Sequence, residues 1–236
     1  AIMTLEDVKQ GLKLPYAHGI AETMDFNRVL DQEPELMAIL SWAREEGILV
    51  DGHCPELRGK ELQAYTATGP ILTDHESVTV EEMREKYQAG MRVIIRRGSL
   101  SESASAGEFV NSLANTGNVL LATDGCITIG DMLDKGHMDN ALRAVVAEGV
   151  DPITAVQMAT INVARAYRLD HKLGGIAPGR SADMVLLSDL QDFQVQTVIV
   201  NGKKLEKDLH LPRFAYPDAA LQTIKLSPVA EDTFHI

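Results

Sequence analysis

Short apolar stretches alternate with longer amphipathic stretches through most of the chain. The stretch 34–47 carries apolar residues at helical spacing and ends in Gly47, where a helix would stop. Thr79, with Glu82 three residues later, has the spacing of a helix capping box. The predicted strands and the helices that follow them are 18–26 with 34–47, 48–55 with 60–69, 71–76 with 79–90, 91–99 with 106–117, and 118–125 with 138–148 and 152–168. The pattern therefore predicts five successive β-α units.

The order of these units predicts an α/β fold with a parallel sheet, which is either doubly wound or closed into a barrel. A doubly wound sheet usually carries a glycine-rich phosphate-binding turn, and the sequence contains neither GxGxxG nor GxxxxGK[ST]. In barrel enzymes the site is assembled from the carboxyl ends of many strands. Polar residues occupy that position on five different predicted strands: Glu22, His53, His75, Arg97 and Asp124. We therefore predict part of a (β/α)8 barrel.

The chain is strongly acidic for its length. Its 236 residues carry a formal net charge of −12, and 45% of them are hydrophobic, as in globular proteins. Nucleic acid would require clustered Lys and Arg, so the charge favours metal ions and neutral or cationic small molecules as ligands. Two cysteines cannot form a disulfide framework, and no run of about 18 apolar residues is present. We therefore expect a cytoplasmic protein that binds neither nucleic acid nor membrane.

Four of the strand-end residues have side chains that bind metal ions: Glu22, His53, His75 and Asp124. One such residue alone is more often a capping or hydrogen-bonding group, but four on nearly successive strands indicate a shared site. Imidazole and carboxylate ligands suit zinc, iron or manganese. Carboxylates grouped without a cation would raise each other's pKa, and a divalent ion removes that cost. The sequence thus predicts a divalent metal site at the carboxyl ends of the strands.

Longer blocks of the sequence resemble a known enzyme family. The blocks "GIAETMDF", "VDGHCPELRGKELQAYTATGPILTDHE", "GHMDNALRAVVAEGVDPITAVQMATINVARAYRL" and "LGGIAPGRSADMVLLSDLQDFQVQTVIVNGK" are similar to consecutive blocks of the adenine deaminases in the amidohydrolase superfamily. The resemblance implies a metal-dependent hydrolase with a distorted (β/α)8 barrel, a small β-sandwich, and two divalent ions (Mn, Fe or Zn) in the complete enzyme. It divides the chain into 1–170, the catalytic part of the barrel, and 171–236, the returning strands of the sandwich and the start of a C-terminal region.

The same resemblance implies a role for each candidate ligand. Glu22 would bridge the two metals, and His53 and His75 would bind the more exposed one. Asp124 would bind the other metal and transfer a proton as the catalytic base. An activated water would attack C6 of the purine base, so that adenine would yield hypoxanthine and ammonia.

Four more residues would surround the reacting groups. Asp74 would orient the end of its strand or a neighbouring imidazole. Glu76 would open the following loop and contact the substrate, or it would be a solvated first-turn carboxylate favoured by the helix dipole. Arg97 and His137 are candidates to contact ring nitrogens of the purine or the charge that develops there, although an arginine that ends a strand is more often an ion-pair partner at the surface. The resemblance thus implies a substrate side of the site next to its metal ligands.

Two features of the sequence depart from the family pattern. Gly125 and Cys126 follow Asp124, where the family usually has another acidic residue, and no H-x-H motif supplies ligands to the buried metal. We therefore expect an interior segment of a longer deaminase, or one chain of a split enzyme, that deaminates adenine negligibly alone. A homo-oligomer or a complementary chain would close the barrel. The alternatives are an amidohydrolase that acts on a cyclic amide and a catalytically incomplete remnant that acts through assembly.

The segment 151–169 is predicted to be a structural helix. Asp151 is in position to cap it, and Pro152 would occupy the first helical position. The packing face predicted from helical spacing consists of Val156, Met158, Ala159, Val163, Ala166 and Tyr167.

Overall fold

Five short strands, each inside a predicted apolar stretch, form the centre of the fold. They are β1 (Gly19–Thr23), β2 (Leu49–Gly52), β3 (Thr73–Asp74), β4 (Arg92–Arg96) and β5 (Val119–Ala122). Strand β1 pairs with β2, and β3, β4 and β5 pair in that order, all in parallel. A parallel bridge between Val50 and Ile71 joins the two ladders. The predicted α/β class and the parallel pairing of the strands are therefore confirmed.

The chain divides into two compact units, Ala1–Lys204 and Leu205–Ile236. The described part of the second unit contains one short helix, Asp218–Leu221. Within the described residues, no helix combines the length and the apolar character that crossing a membrane requires. Cys126 lies outside the residues that the computed structural model describes, which are 3–98, 103, 105–125, 127–205 and 215–223.

Helices follow the strands, largely where the apolar spacing predicts them. They are α1 (Leu5–Gly11), α2 (Phe26–Leu30), α3 (Pro34–Glu45), α4 (Gly59–Ala67), α5 (Val80–Gln88), α6 (Ala106–Asn111), α7 (Ile129–Lys135), α8 (Met138–Ala147), α9 (Pro152–Ala159) and α10 (Ile161–Ala166). The predicted units do not include α1, α2 or α7, and α6 ends well before residue 117. Thr79 caps α5 by accepting a hydrogen bond from the Glu82 amide, as predicted. The Glu82 side chain is buried and accepts a hydrogen bond from the Val78 amide.

The predicted helix over 152–168 is divided into α9 and α10. Asp151 caps α9 and Pro152 is its first residue, as predicted. Thr160 leaves the helical conformation (φ −131°, ψ −90°), and this shifts the helical phase of the residues that follow. Met158 and Ala166 of the predicted face are buried, but Val156 and Val163 are only half-buried. The predicted packing face is therefore only partly correct.

Two apolar clusters fill the space between strands and helices. One surrounds β2 and includes Val50, Leu40 and Tyr65; the other surrounds β4 and β5. On β4, Val93 and Ile95 are fully buried in the second cluster, whereas the alternate residues point to the opposite face of the sheet. This alternation determines which side chains of β4 can reach the site predicted at the carboxyl ends of the strands.

An antiparallel sheet follows the parallel strands in the chain. Its members are β6 (Met184–Leu187), β7 (Val195–Val200) and β8 (Lys203–Lys204). The blocks predicted as returning strands therefore are strands. Val185, Leu186, Val195 and Val200 on this sheet are exposed. A β-sandwich and a domain boundary after residue 170 stay predictions.

Candidate metal centre

Three of the predicted ligands meet at the carboxyl ends of neighbouring strands. Glu22 lies near the end of β1, His53 directly follows β2, and His75 directly follows β3. His75 Nε2 is 3.0 Å from Glu22 Oε2, and His53 Nδ1 is 3.6 Å from Glu22 Oε1. One ligand atom from each residue lies within 4.8 Å of the others. Parallel pairing of the strands thus brings together three side chains that are far apart in sequence.

The chemistry of this group fits a divalent cation. His53 Nδ1 is buried and has no hydrogen-bond partner among the described residues, although buried polar atoms usually have one. The two imidazole rings meet edge to face, with centroids 5.3 Å apart. Two imidazole nitrogens and a carboxylate oxygen form the three-ligand set typical of catalytic metal sites. An ion held between these residues would satisfy the buried nitrogen of His53.

A second group of possible ligands consists of His75, Glu76 and Asp124. The Glu76 side chain is 18% exposed and accepts hydrogen bonds from the Arg96 guanidinium at both oxygens, at 2.9 Å for the Oε2 contact. The solvated first-turn alternative for Glu76 is therefore wrong, because the carboxylate turns inward to an arginine. His75 Nε2 lies 3.6 Å from Glu76 Oε1, so His75 belongs to both groups.

Asp124 follows β5 and reaches the same edge of the sheet. Its backbone lies in the left-handed region (φ 54°), a conformation that costs energy in residues other than glycine and is concentrated at functional sites. Hydrogen bonds from the Gly125 amide (2.6 Å) and from Arg96 (3.0 Å) hold the pKa of Asp124 below its ordinary value. Asp124 is therefore an ionised carboxylate near neutral pH.

Arg96, which is not among the predicted site residues, takes the position predicted for Arg97. Arg97 is 3% exposed, and its guanidinium donates to Glu148 Oε1 (2.6 Å) and to the Ser103 carbonyl (2.9 Å). The reason is the period of two along a strand, which sends Arg97 to the helix side with Ile95. The structure therefore does not bring Arg97 to the ligand groups. The alternation in "RVIIRR" is the signal that would have selected Arg96.

His137 lies beside the site. It directly precedes α8, and its Nε2 is 2.9 Å from Thr123 Oγ1, one residue before Asp124. Its amide donates to Asp139 Oδ1. Neither ligand group includes His137.

Asp74 orients the strand end and not an imidazole. It is fully buried, and its Oδ1 accepts from the Cys54 amide at 2.9 Å. Its Oδ2 accepts from Ser77 Oγ (2.9 Å) and from the Glu76 amide (3.2 Å). One carboxylate therefore ties the loop after His53 to the loop after His75.

Two other residues set the distance between the strand ends. A Cβ on Gly52 would lie 2.4 Å from the Thr73 carbonyl oxygen, so only glycine permits the observed approach of β2 and β3. The Tyr65 hydroxyl donates to the Thr23 carbonyl (3.2 Å) and accepts from the His53 amide (3.3 Å). It joins the end of β1 to the end of β2 below the three ligands.

Comparison with known proteins gives consistent results. Residues 3–205 match the amidohydrolase family. An adenine deaminase from Ligilactobacillus salivarius is 38% identical over 202 residues, which cover 86% of this chain and 34% of that protein. An adenine deaminase from Oleidesulfovibrio alaskensis is 37% identical over 243 residues, 100% of this chain and 41% of that protein. The chain thus spans 34% and 41% of the length of these two curated relatives.

Solved structures share the fold at low sequence identity. The N-acetyl-D-glucosamine-6-phosphate deacetylase from Mycobacterium smegmatis superposes with a TM-score of 0.63 at 18% identity, over 86% of this chain and 59% of that chain. This likeness concerns the fold alone. The fold, the family match and the ligand groups refer to the same part of the chain.

Proposed function

This chain belongs to the amidohydrolase family, and on that basis we propose that it takes part in metal-dependent hydrolytic deamination of adenine, or of a related aminopurine, with release of ammonia. Adenine would yield hypoxanthine. The observation that carries the proposal is the convergence of Glu22, His53 and His75, with the buried Nδ1 of His53 left for an ion. Support for the substrate comes from the adenine deaminases that are 37–38% identical over most of this chain. We further propose that β1 to β5 belong to a (β/α)8 barrel, as in other metal-dependent hydrolases.

The proposed ion is Mn, Fe or Zn, held by Glu22, His53 and His75. When bound, a divalent ion supplies Lewis acidity and an activated water molecule. The observed geometry favours one ion in this chain and not two. The Arg96 guanidinium contacts both Glu76 and Asp124, so the second group already contains a positive charge. A second cation at that position would be repelled at close range.

Asp124 is the proposed catalytic base. Hydrogen bonds from Gly125 and Arg96 favour its ionised form, and it stands at the edge of the ligand groups. A carboxylate in that state can accept a proton from the attacking water and donate it to the departing amine. The water oxygen then replaces the amino nitrogen on the ring carbon; one proton of the water leaves with the amine as ammonia, and the other remains on a ring nitrogen of the product.

Glu76 and Arg96 are the proposed substrate side of the site. The bidentate contact with Arg96 fixes both oxygens of Glu76, so this carboxylate has a defined direction. A fixed carboxylate can accept a hydrogen bond from an N–H group of an aminopurine. Arg96 replaces Arg97 in this proposal, and His137 keeps a contact role at the Asp124 side.

The proposed partners other than the purine are strands that complete the sheet. Among the described residues, β1 and β5 each have one strand neighbour, and an unpaired strand edge is a site of further pairing. A second copy of this chain or a complementary chain would occupy those edges. A cytoplasmic location is also proposed, and the small number of cysteines supports it.

The test combines metal analysis with an assay of ammonia release. The chain is loaded with zinc, manganese or iron, dialysed, and analysed for bound metal; we expect about one ion per chain. Ammonia is then measured with a panel of aminopurines, for the chain alone and with a polypeptide that supplies H-x-H ligands. We expect negligible release alone and an increase on addition, and this release should fall by about 10²–10⁴ in Asp124→Asn.

Three outcomes would contradict the proposal. Hydrolysis of cyclic amides without ammonia release from any aminopurine would favour the other amidohydrolase chemistry. A chain that binds no metal would favour a remnant that acts through assembly. Full deaminase activity of this chain alone, unchanged by His75→Ala, would remove the ligand assignment.

A further inference from the structure

A lysine is completely buried directly behind the proposed metal ligands. Lys86 on α5 has a side chain that is 0% exposed. Its ammonium donates to the Cys54 carbonyl (2.6 Å), to Asp74 Oδ2 (2.9 Å) and to Glu82 Oε1 (2.6 Å). Cys54 follows His53, and Asp74 precedes His75. The ammonium therefore contacts the neighbours of both histidine ligands.

The two carboxylates that contact Lys86 also accept hydrogen bonds from the loop after β2 and the loop after β3. Glu82 Oε1 also accepts from the Glu56 amide (2.8 Å), and Glu82 Oε2 accepts from the Val78 amide (3.0 Å). Asp74 accepts from the Cys54 and Glu76 amides. The Lys86 cluster, defined as Lys86, Asp74, Glu82 and Cys54, thus binds the loop after β2 at Cys54 and Glu56 and the loop after β3 at Glu76, Ser77 and Val78.

Stability alone is a poor explanation for this cluster. Removing an ammonium and two carboxylates from water costs more than apolar side chains of the same volume would, and such replacements are often neutral or stabilising. The cluster instead supplies directional hydrogen bonds that fix the positions of the two loops it contacts. The Lys86 ammonium lies 2.9 Å from Asp74 Oδ2 and 2.6 Å from Glu82 Oε1, so it is held between both carboxylates.

We propose that Lys86 is a positioning residue that sets the separation of His53 and His75 and thereby the affinity of this chain for a divalent ion. The inference rests on the metal site of the proposed function. Lys86 does not touch the ion or a substrate; it acts through the backbone at Cys54 and through Asp74. Polar groups that hydrogen-bond directly to metal ligands typically change metal affinity by about 10–100-fold when removed, and Lys86 contacts the residues next to both histidine ligands.

The test compares Lys86→Met with two matched controls. Lys86→Met keeps an unbranched side chain that is one atom shorter and removes the ammonium group and its charge. Arg58→Met removes the partner of Glu85, an exposed ion pair (2.7 Å) that links the same loop to the same helix. Met158→Ala destabilises a core position far from the ligands in sequence. Zinc affinity is measured by competition with a chelator, thermal unfolding by circular dichroism, and ligand geometry by the visible spectrum of the cobalt-loaded protein.

We expect Lys86→Met to weaken zinc binding by about 10–100-fold and to change the cobalt spectrum. Arg58→Met and Met158→Ala should leave affinity within about threefold of the parent, although Met158→Ala unfolds at a lower temperature. If Lys86→Met fails to fold, Glu82→Gln is the second variant, because it keeps the side-chain size and weakens the pair with Lys86. It should weaken zinc binding in the same direction.

The outcomes separate this inference from the proposed function. A parent chain that binds no zinc overturns both the metal site and the role of Lys86. A parent that binds zinc, with Lys86→Met or Glu82→Gln binding equally well, overturns only the positioning role. Loss of affinity in Met158→Ala as large as that in Lys86→Met would also overturn it, because destabilisation alone would then explain the effect.

Discussion

Replacing Tyr65 by Phe tests how the strand ends below the ligands are held together. Tyr65 is 0% exposed, and burial raises the pKa of its hydroxyl, so that the group stays protonated and donates to the Thr23 carbonyl. The same oxygen accepts from the His53 amide. Phe keeps the ring and leaves both backbone groups without this partner. A buried group that loses its partner costs about 1–3 kcal/mol, so we expect the free energy of unfolding to fall by about that amount.

The matched control is Tyr87→Phe. The Tyr87 hydroxyl donates to the Asn115 carbonyl (2.6 Å) at an exposed position, where water can replace it. We expect a loss of about 0.5 kcal/mol or less. Urea unfolding, monitored by circular dichroism, measures the free energy of unfolding of both variants. A change in stability alone shifts the midpoint of the transition and leaves its slope unchanged. Equal losses in Tyr65→Phe and Tyr87→Phe would refute the reasoning, because the buried hydroxyl would then contribute no more than the exposed one.

Three further changes have defined outcomes. Met158→Ala should lower the free energy of unfolding by about 2–5 kcal/mol, since Met158 is fully buried; lost activity with unchanged stability would contradict a structural role. His75→Ala should abolish zinc retention on dialysis, whereas the exposed His171→Ala should keep it, and equal retention would exclude His75 as a ligand. Arg96→Gln should raise the pKa of Asp124 toward its ordinary value. Because the pKa of Asp124 is lower in the folded than in the unfolded protein, its ionised form stabilises the fold at neutral pH, and this stabilisation is lost as the pH falls through the folded-state pKa. The variant should therefore lose less stability than the parent on acidification.

The strands could be predicted because their signal is local. Each apolar stretch is short, ends in polar residues and is followed by a helix, and this order fixes parallel pairing. The same reasoning located Glu22, His53 and His75, because carboxyl ends of parallel strands share one edge. The choice of Arg97 over Arg96 was wrong, because that choice requires counting the side-chain alternation along β4 from its buried residues.

Other features depend on contacts between distant segments. Helix α7 has no buried residue, so no apolar periodicity marked it. The break at Thr160 between α9 and α10 lies in a stretch that reads as one continuous helix. Lys and Glu are rarely fully buried, so the sequence gives no sign that Lys86 and Glu82 are; their burial becomes evident only from the packing of α5 behind two loops.

The buried charges of the Lys86 cluster also constrain how this sequence can change by mutation. Loss of Lys86 alone leaves two buried carboxylates without their cation, and loss of Asp74 or Glu82 alone removes a partner of the ammonium. Single substitutions at these three positions are therefore costly, while a simultaneous exchange for apolar residues would restore packing. The effects of such substitutions are strongly non-additive. Natural selection would then treat the three positions as one inherited unit, and related sequences should keep all three or replace them together.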